Sequence, residues 1–197
     1  MAKVLPWQRL RCQSGGELRL CSPRLRGLAV FDVDNPAAPV RVGGYDTSGR
    51  AYGVAVAGGY AYVADDWAGL QVIDVRNPAA PARVGGYDAS GNAFGVAVAG
   101  GYAYVADGDA GLQVIDVADP AASVRVGGCD TSGYARGVAV AGGYAYVADQ
   151  VAGLQVIDVS NPAAPVRVGG CDTSGSACGV AVAGGYAYVA DYNAGLQ

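Results

Sequence analysis

Residues 53–75 read Gly-Val-Ala-Val-Ala-Gly-Gly-Tyr-Ala-Tyr-Val-Ala-Asp-Asp-Trp-Ala-Gly-Leu-Gln-Val-Ile-Asp-Val, and this stretch decides the fold. Nearly the same string begins again at Gly95 and Gly137, each 42 residues on, and its first part at Gly179. Between copies runs a second conserved-length segment: an Asn-Pro-Ala-Ala-Pro variant, Arg-Val-Gly-Gly, Tyr or Cys, Asp, and a Ser-Gly pair. Self-similarity at a fixed period of this size marks a repeat architecture. Four apolar runs fall in the unit that starts at Gly53: Val54–Ala57, Tyr60–Ala64, Leu70–Val75 and Arg83–Tyr87. They are rich in Val, Ile and Tyr, residues that fit a pleated surface. Gly58-Gly59, Asp65 through Gly69, Asn77-Pro78 and Ser90-Gly91 punctuate them with turn chemistry. No segment sustains a 3.6-residue period with caps, so helix does not compete.

Four short antiparallel strands in about 40 residues make one blade of a β-propeller. The expected fold class is therefore all-β, a β-propeller of about four blade equivalents that could belong to a larger ring. A parallel β-helix would need a shorter coil per repeat. The expected division is a non-repeat segment 1–26 and a repeat body 27–197. The body splits into a half blade 27–52, whole blades 53–94, 95–136 and 137–178, and a half blade 179–197. Closed propellers join strands from both ends of the chain in one blade, which removes open edges. Strands one and two of 179–191 with strands three and four of 27–45 would form such a composite.

Composition narrows the partners. The chain of 197 residues has a formal net charge of −4, unevenly placed. Six basic residues and one acid precede Gly27; from Gly27 onward seven Arg face sixteen Asp, a net −9. Nucleic acid is excluded as the expected partner, since phosphate binding needs clustered Lys and Arg. No apolar run reaches the length of a membrane span, so no membrane insertion is expected in this segment.

The recurring motifs resemble the LVIVD-repeat family, named for the strand that here reads Leu70-Gln71-Val72-Ile73-Asp74-Val75. Tyr62–Asp65, Gly69-Leu70 and Asn77–Pro81 fit the same pattern, and the resemblance covers all of 27–197. It implies a propeller, in bacterial or archaeal surface and secreted proteins, with no common catalytic activity. Members generally have more than four blades, which makes a truncated fragment a further expectation. Extracellular or cell-surface localisation is implied by the resemblance alone.

Residues 1–26 match neither the repeat nor a signal peptide, lacking an apolar central region. A frame moved by one nucleotide over Trp7–Gly27 permits Gly-Asn-Ala-Tyr-Gly-Val-Ser-Leu-Ala-Gly-Asn-Tyr-Ala-Tyr-Val-Ala-Arg-Asp-Tyr-Ala. That string matches Gly49–Ala68 at 14 of 20 positions without a gap. The segment is read as frameshift-derived and poorly ordered, with an unusual targeting or interaction tail as the competing reading.

The chemistry-bearing residues recur with the repeat. Asp65, Asp107, Asp149 and Asp191 end the second strand; Asp32, Asp74, Asp116 and Asp158 sit in the third; Asp46, Asp88, Asp130 and Asp172 follow the fourth. Repeated carboxylates suit a calcium site, but each ring places one per blade without a D-x-D-x-D-G loop. The preferred reading is that all three rings accept turn and interblade hydrogen bonds, with no metal site and no cofactor expected. Cys129, Cys171 and Cys178 replace aromatic or Arg residues of sister repeats and read as small, half-buried substitutes, with a Cys171–Cys178 bridge as the alternative. With no His, no G-x-S-x-G and no Walker pattern, no catalytic residue is assigned and an enzyme is not the leading expectation.

Variation between repeats is concentrated in two connections. The 2–3 turns hold Asp66-Trp67, Gly108-Asp109, Gln150-Val151 and Tyr192-Asn193. The 4–1 connections hold Arg50 and Tyr52, Asn92 and Phe94, Tyr134 and Arg136, Ser176 and Cys178. In an up-and-down blade both lie on one rim. The candidate binding residues are Arg50, Tyr52, Asp66, Trp67, Asn92, Phe94, Asp109, Tyr134, Arg136 and Tyr192, types that anchor interfaces; drift of exposed loops after duplication is the alternative. The expected function is a non-enzymatic module for a protein or carbohydrate ligand. A propeller enzyme using Asp residues around the central opening and an inactive fragment are the other readings.

Overall fold

The computed structural model of the chain describes residues 12–14, 17–19, 27–89 and 91–197. The frameshift and disorder readings of 1–26 fall outside these residues, apart from the paired strands β1 (Cys12–Ser14) and β2 (Glu17–Arg19). The described chain is all-β. β3 (Gly27–Asp32) and β4 (Val40–Asp46) form a hairpin. Three whole blades follow: β5 (Gly53–Ala57), β6 (Tyr60–Ala64), β7 (Leu70–Asp74), β8 (Ala82–Tyr87); β9 (Gly95–Ala99), β10 (Tyr102–Ala106), β11 (Leu112–Asp116), β12 (Val124–Cys129); and β13 (Gly137–Ala141), β14 (Tyr144–Ala148), β15 (Leu154–Asp158), β16 (Val166–Cys171). β17 (Ala177–Ala183), β18 (Tyr186–Asp191) and the two-residue β19 (Gly195–Leu196) make the last sheet.

Within each whole blade neighbouring strands are consecutive and antiparallel. Successive first strands β5, β9, β13 and β17 lie beside one another, which sets them as the inner strands of a four-blade propeller arrangement. The 1–2 hairpins turn on Gly58-Gly59 and its counterparts, with φ of 58° and 82° at this pair. Two successive positive φ values define the two-residue turn whose twist matches antiparallel strands, and Gly adopts them without a Cβ clash. Each 3–4 pair is bulged at the same place, between Val72 and Ile73 in the first whole blade, which sharpens the local twist.

The core lies between blades. Leu70, Val72 and Tyr62 of one blade pack with Ala103, Val105 and Ile115 of the next, and Leu112, Val114 and Tyr104 repeat the pattern with Ala145, Val147 and Ile157. Burying each such aliphatic side chain contributes about 1.5–3 kcal/mol. A glycine in each fourth strand sets the distance of approach. A Cβ on Gly43, Gly85 or Gly127 would overlap the carbonyl oxygen of Pro78, Pro120 or Pro162 in the following blade. The Asn-Pro or Asp-Pro turn of one blade thus seats on a bare backbone of its predecessor.

The composite blade expected from the repeat arithmetic does not form within the chain: β3–β4 and β17–β18–β19 are separate sheets. Phe31 is 52% exposed, whereas Ile73, Ile115 and Ile157 at the same repeat position are fully buried against a preceding blade.

Candidate functional site

The rim expected from the repeat pattern is assembled by backbone bonds between blades. Asp66 and Ala93 exchange two bonds of 3.0 Å, and the same bridge joins Gly108 to Ala135 and Gln150 to Ala177. Each 2–3 turn is therefore tied to the 4–1 connection that enters the next blade. Asp66 and Gln150 hold positive φ (55° and 45°) at the position occupied by Gly108 in the middle blade, a strained conformation for residues with a Cβ.

Buried carboxylates lock the same connections from beneath. The amides of Gly49, Gly91, Gly133 and Gly175 donate to Asp65, Asp107, Asp149 and Asp191 at 2.9–3.1 Å. Thr47 adds a hydroxyl bond to Asp65 (2.5 Å) and Thr131 one to Asp149 (2.7 Å). The middle repeat has Ala89 in the Thr position, and Asp107 Oδ1 is buried without a partner. Desolvation pushes the Asp107 carboxyl up to about 6, only partly opposed by the Gly91 amide and by Arg125. Burial likewise raises Asp149, against the pull of its Thr131 and Gly133 bonds. The third-strand ring is local: Asp32, Asp74, Asp116 and Asp158 accept the amide two residues on. The ring Asp46, Asp88, Asp130 and Asp172 departs from expectation. These side chains are exposed and accept no hydrogen bond among the described residues, because the chain leaves the sheet there and turns outward to solvent.

Above this frame the side chains of neighbouring blades meet. Gly53, Gly95 and Gly137 open the inner strands, where a Cβ would stand 2.8, 2.9 and 3.0 Å from the carbonyl oxygens of Phe94, Arg136 and Cys178. That close approach brings the residues just before them together. Tyr52 and Phe94 stack tilted with ring centroids 5.0 Å apart, and Phe94 meets Tyr134 at 5.4 Å. The Arg136 guanidinium lies 4.5 Å from the Phe94 centroid and 5.6 Å from that of Tyr134, within cation–π range. With the Gln150 amide turned so that its oxygen faces the guanidinium, that oxygen also accepts from Arg136 Nε (2.9 Å) and Nη2 (3.2 Å). The result is a rail of three rings and one cation crossing the mouth of two blade junctions, with Tyr52 still 51% exposed.

The other expected rim residues flank this rail. Arg50 reaches Asp66 at 4.0 Å, a loose pair between an exposed guanidinium and a buried carboxylate. Trp67 and Tyr192 stand out at 60% and 82% exposure, and among the described residues neither contacts another ring. Asn92 and Asp109 are exposed. Cys129 is half-buried as expected, but Cys171 and Cys178 are exposed, and all three are free thiols, so no Cys171–Cys178 bridge forms. Gln150, unassigned in the sequence reading, orients Arg136; its difference from Asp66 and Gly108 at a positive-φ position was the available signal.

These features define a β-propeller repeat module with one differentiated rim. Models of the LVIVD repeat match residues 25–47, 48–89, 90–131, 132–173 and 174–197, and the chain belongs to this family. No curated protein matches it. Among solved structures it is similar to the crystal structure of the computationally designed Ika4 protein. That match has a TM-score of 0.57 and 8% identity over 77% of this chain and 91% of the other, a likeness of fold alone.

Proposed function

We propose that this LVIVD-repeat propeller is a non-enzymatic interaction module of a surface or secreted protein, and that it grips a protein ligand on the rim carrying Tyr52, Phe94, Tyr134 and Arg136. The observation that carries the reading is the stacked rail itself. Three aromatic rings and a guanidinium held by Gln150 lie across blade junctions and stay partly open to solvent. Rigid aromatic and Arg side chains lose little conformational entropy on binding and dominate interface energetics. The carboxylates nearest this rim are buried and hold the loop amides, which suits a scaffold role. Trp67 and Tyr192 add exposed aromatic surface to the same rim, and Asp109 adds an exposed carboxylate.

Panning a displayed peptide library on the immobilised chain, with a glycan array in parallel, tests the reading. Phe94→Ala and Arg136→Ala are the comparison surfaces. Peptides that bind the parent and lose at least tenfold in affinity on both variants are the expected result. Glycan binding without peptide binding, or peptides indifferent to both substitutions, would overturn it.

A further inference from the structure

Most arginines of the repeat body are engaged with the chain's own carboxylates. Arg50 reaches Asp66, Arg76 pairs with Asp74, and Arg125 and Arg167 pull on the buried Asp107 and Asp149. Arg136 is different. Among the described residues no carboxylate lies within 4.0 Å of its guanidinium. Its neighbours are neutral: the Phe94 and Tyr134 rings and the Gln150 side chain. In a body whose net charge from Gly27 onward is −9, an anionic ligand is repelled almost everywhere. A cation left without a counter-charge is where it can settle, and the surrounding repulsion sharpens that choice.

The geometry says which kind of anion fits. A guanidinium presents five N–H donors in one plane. With its amide turned, Gln150 takes the edge formed by Nε and Nη2, and the Arg136 backbone amide is tied to the Ala148 carbonyl at 2.8 Å. The second edge, formed by Nη1 and the outer hydrogen of Nη2, has no acceptor among the described residues, and Arg136 is partly exposed. Two parallel N–H bonds on such an edge match the two oxygens of a carboxylate. The side chain is fixed beforehand by the rings and by Gln150, so little of its freedom is lost on binding.

The apolar part of the site stands one step away. The guanidinium carbon is 4.5 Å from the Phe94 centroid, and the Tyr52 centroid is a further 5.0 Å from that of Phe94. The two rings are tilted by 41°, so they form an open wedge and not a closed stack. An extended peptide returns a side chain to the same side every second residue, about 6.5–7 Å on, which spans from the cation to that wedge. Building on the rim as the binding face, we infer that its ligand is a peptide segment with an Asp or Glu side chain on the free edge of Arg136 and, two residues away, an aromatic ring seated against Tyr52 and Phe94. Tyr134 offers aromatic surface as well. A segment that continues past its acidic residue covers both places, whereas a C-terminal carboxylate ends on the first.

NMR titration of the full chain with three synthetic peptides tests the inference. Acetyl-Gly-Trp-Gly-Glu-Gly-Trp-Gly-amide offers the acid two residues from a ring in either direction. Its Gln counterpart lacks only the charge, and acetyl-Gly-Trp-Gly with a free C-terminus carries the carboxylate at a chain end. The Glu peptide is expected to bind about tenfold more tightly than the Gln peptide, since charge-assisted bidentate bonds exceed neutral ones, and to shift the Arg136 Nε–H signal. Arg136→Gln removes that advantage. Gln150→Ala, which keeps the charge and frees the side chain, reduces it. Equal binding of the Glu and Gln peptides, with both weakened by Phe94→Ala, overturns the carboxylate inference and leaves the rim reading standing. A preference that survives Arg136→Gln, tighter binding of the free-acid peptide, or no binding of the Glu peptide at millimolar concentration also overturns it. The rim reading itself stands or falls on the library selection.

Discussion

Replacing Ala89 by Thr should stabilise the protein, and the size and pH dependence of the gain follow from the repeat itself. Asp107 is fully buried, its Oδ1 has no partner, and its carboxyl is raised to about 6 from an ordinary 3.8 by desolvation. The sign is that of an acid raised in the folded state. Below about pH 4 both folded and unfolded forms are protonated and no penalty applies. As pH rises through 4 to 6 the unfolded chain ionises first, and stability falls until the folded group ionises too. A shift of about 2 units corresponds to at most about 3 kcal/mol. The Gly69 neighbourhood places the Ala89 amide as the Gly27 neighbourhood places that of Thr47, so a Thr side chain has the same approach to the carboxylate. A hydroxyl bond to an ionised carboxylate contributes about 1.5–3 kcal/mol, less about 0.5 for fixing the side chain. The expected net gain is about 1–2 kcal/mol at pH 7, or roughly 2–6 °C in Tm for a chain of this size. It should shrink towards zero at pH 4. Urea unfolding of both proteins at pH 4, 5, 6 and 7 reads it directly. An equal difference at pH 4 and pH 7, or none at pH 7, would refute the argument that an unsatisfied carboxylate weakens the middle blade.

Gly85→Ala drives a methyl group into the Pro120 carbonyl oxygen, and overpacking of this kind costs about 1–3 kcal/mol; chemical denaturation should show it. A double-mutant cycle on Phe94→Ala and Arg136→Ala should return a coupling of about 0.5–1 kcal/mol for the cation–π contact, and additivity would mean the rail is not held together by that contact. Asp65→Ala strips the acceptor from Thr47 Oγ1 and the Gly49 amide; a loss of about 2–3 kcal/mol is expected in thermal melts, since both donors are then buried unpaired. The Asp74 carboxyl, held at about 2 by the Arg76 side chain and amide, should rise towards the ordinary carboxylate range in Arg76→Ala by NMR, while the amide of residue 76 still holds it below that range. Its contribution to stability is present above pH 4 and lost as pH falls towards 2, and because the pair is exposed the melting temperature should not move measurably.

The blades were legible almost residue by residue, because each apolar run is bounded by glycine or an Asx-Pro turn that allows one register. The rim was legible as well, since the invariance of Ala-Gly-Gly at the opposite turn left variation in only two connections. The rail was not. Tyr134 occupies the position of Arg50 and Asn92, two residues before the repeat position of Tyr52 and Phe94. Its contact with Phe94 depends on how closely Gly53 and Gly95 let the inner strands approach, a distance no spacing of letters contains. The failed closure of the composite blade was equally out of reach, because strand counting says which halves complement one another and not whether one chain can bring them together. The exposed Asp46 ring shows the same limit: a recurring Asp after a strand is bonded or bare according to where the next turn goes. The lone carboxylate of the middle blade could have been found, since Ala89 stands where three other repeats have Thr.

The Gly-Pro contact has a consequence for how such a protein grows. Each 42-residue unit carries in its own fourth strand the socket for its successor and in its own Asn-Pro or Asp-Pro turn the plug for its predecessor. Copying one unit in the gene therefore delivers a matched pair of joints in a single event, and the newcomer fits between any two neighbours without prior adjustment. Within this chain the joint recurs unchanged at Gly43, Gly85 and Gly127. The residues of the rim, which belong to neither plug nor socket, are left at liberty to diverge from the moment the copy is made.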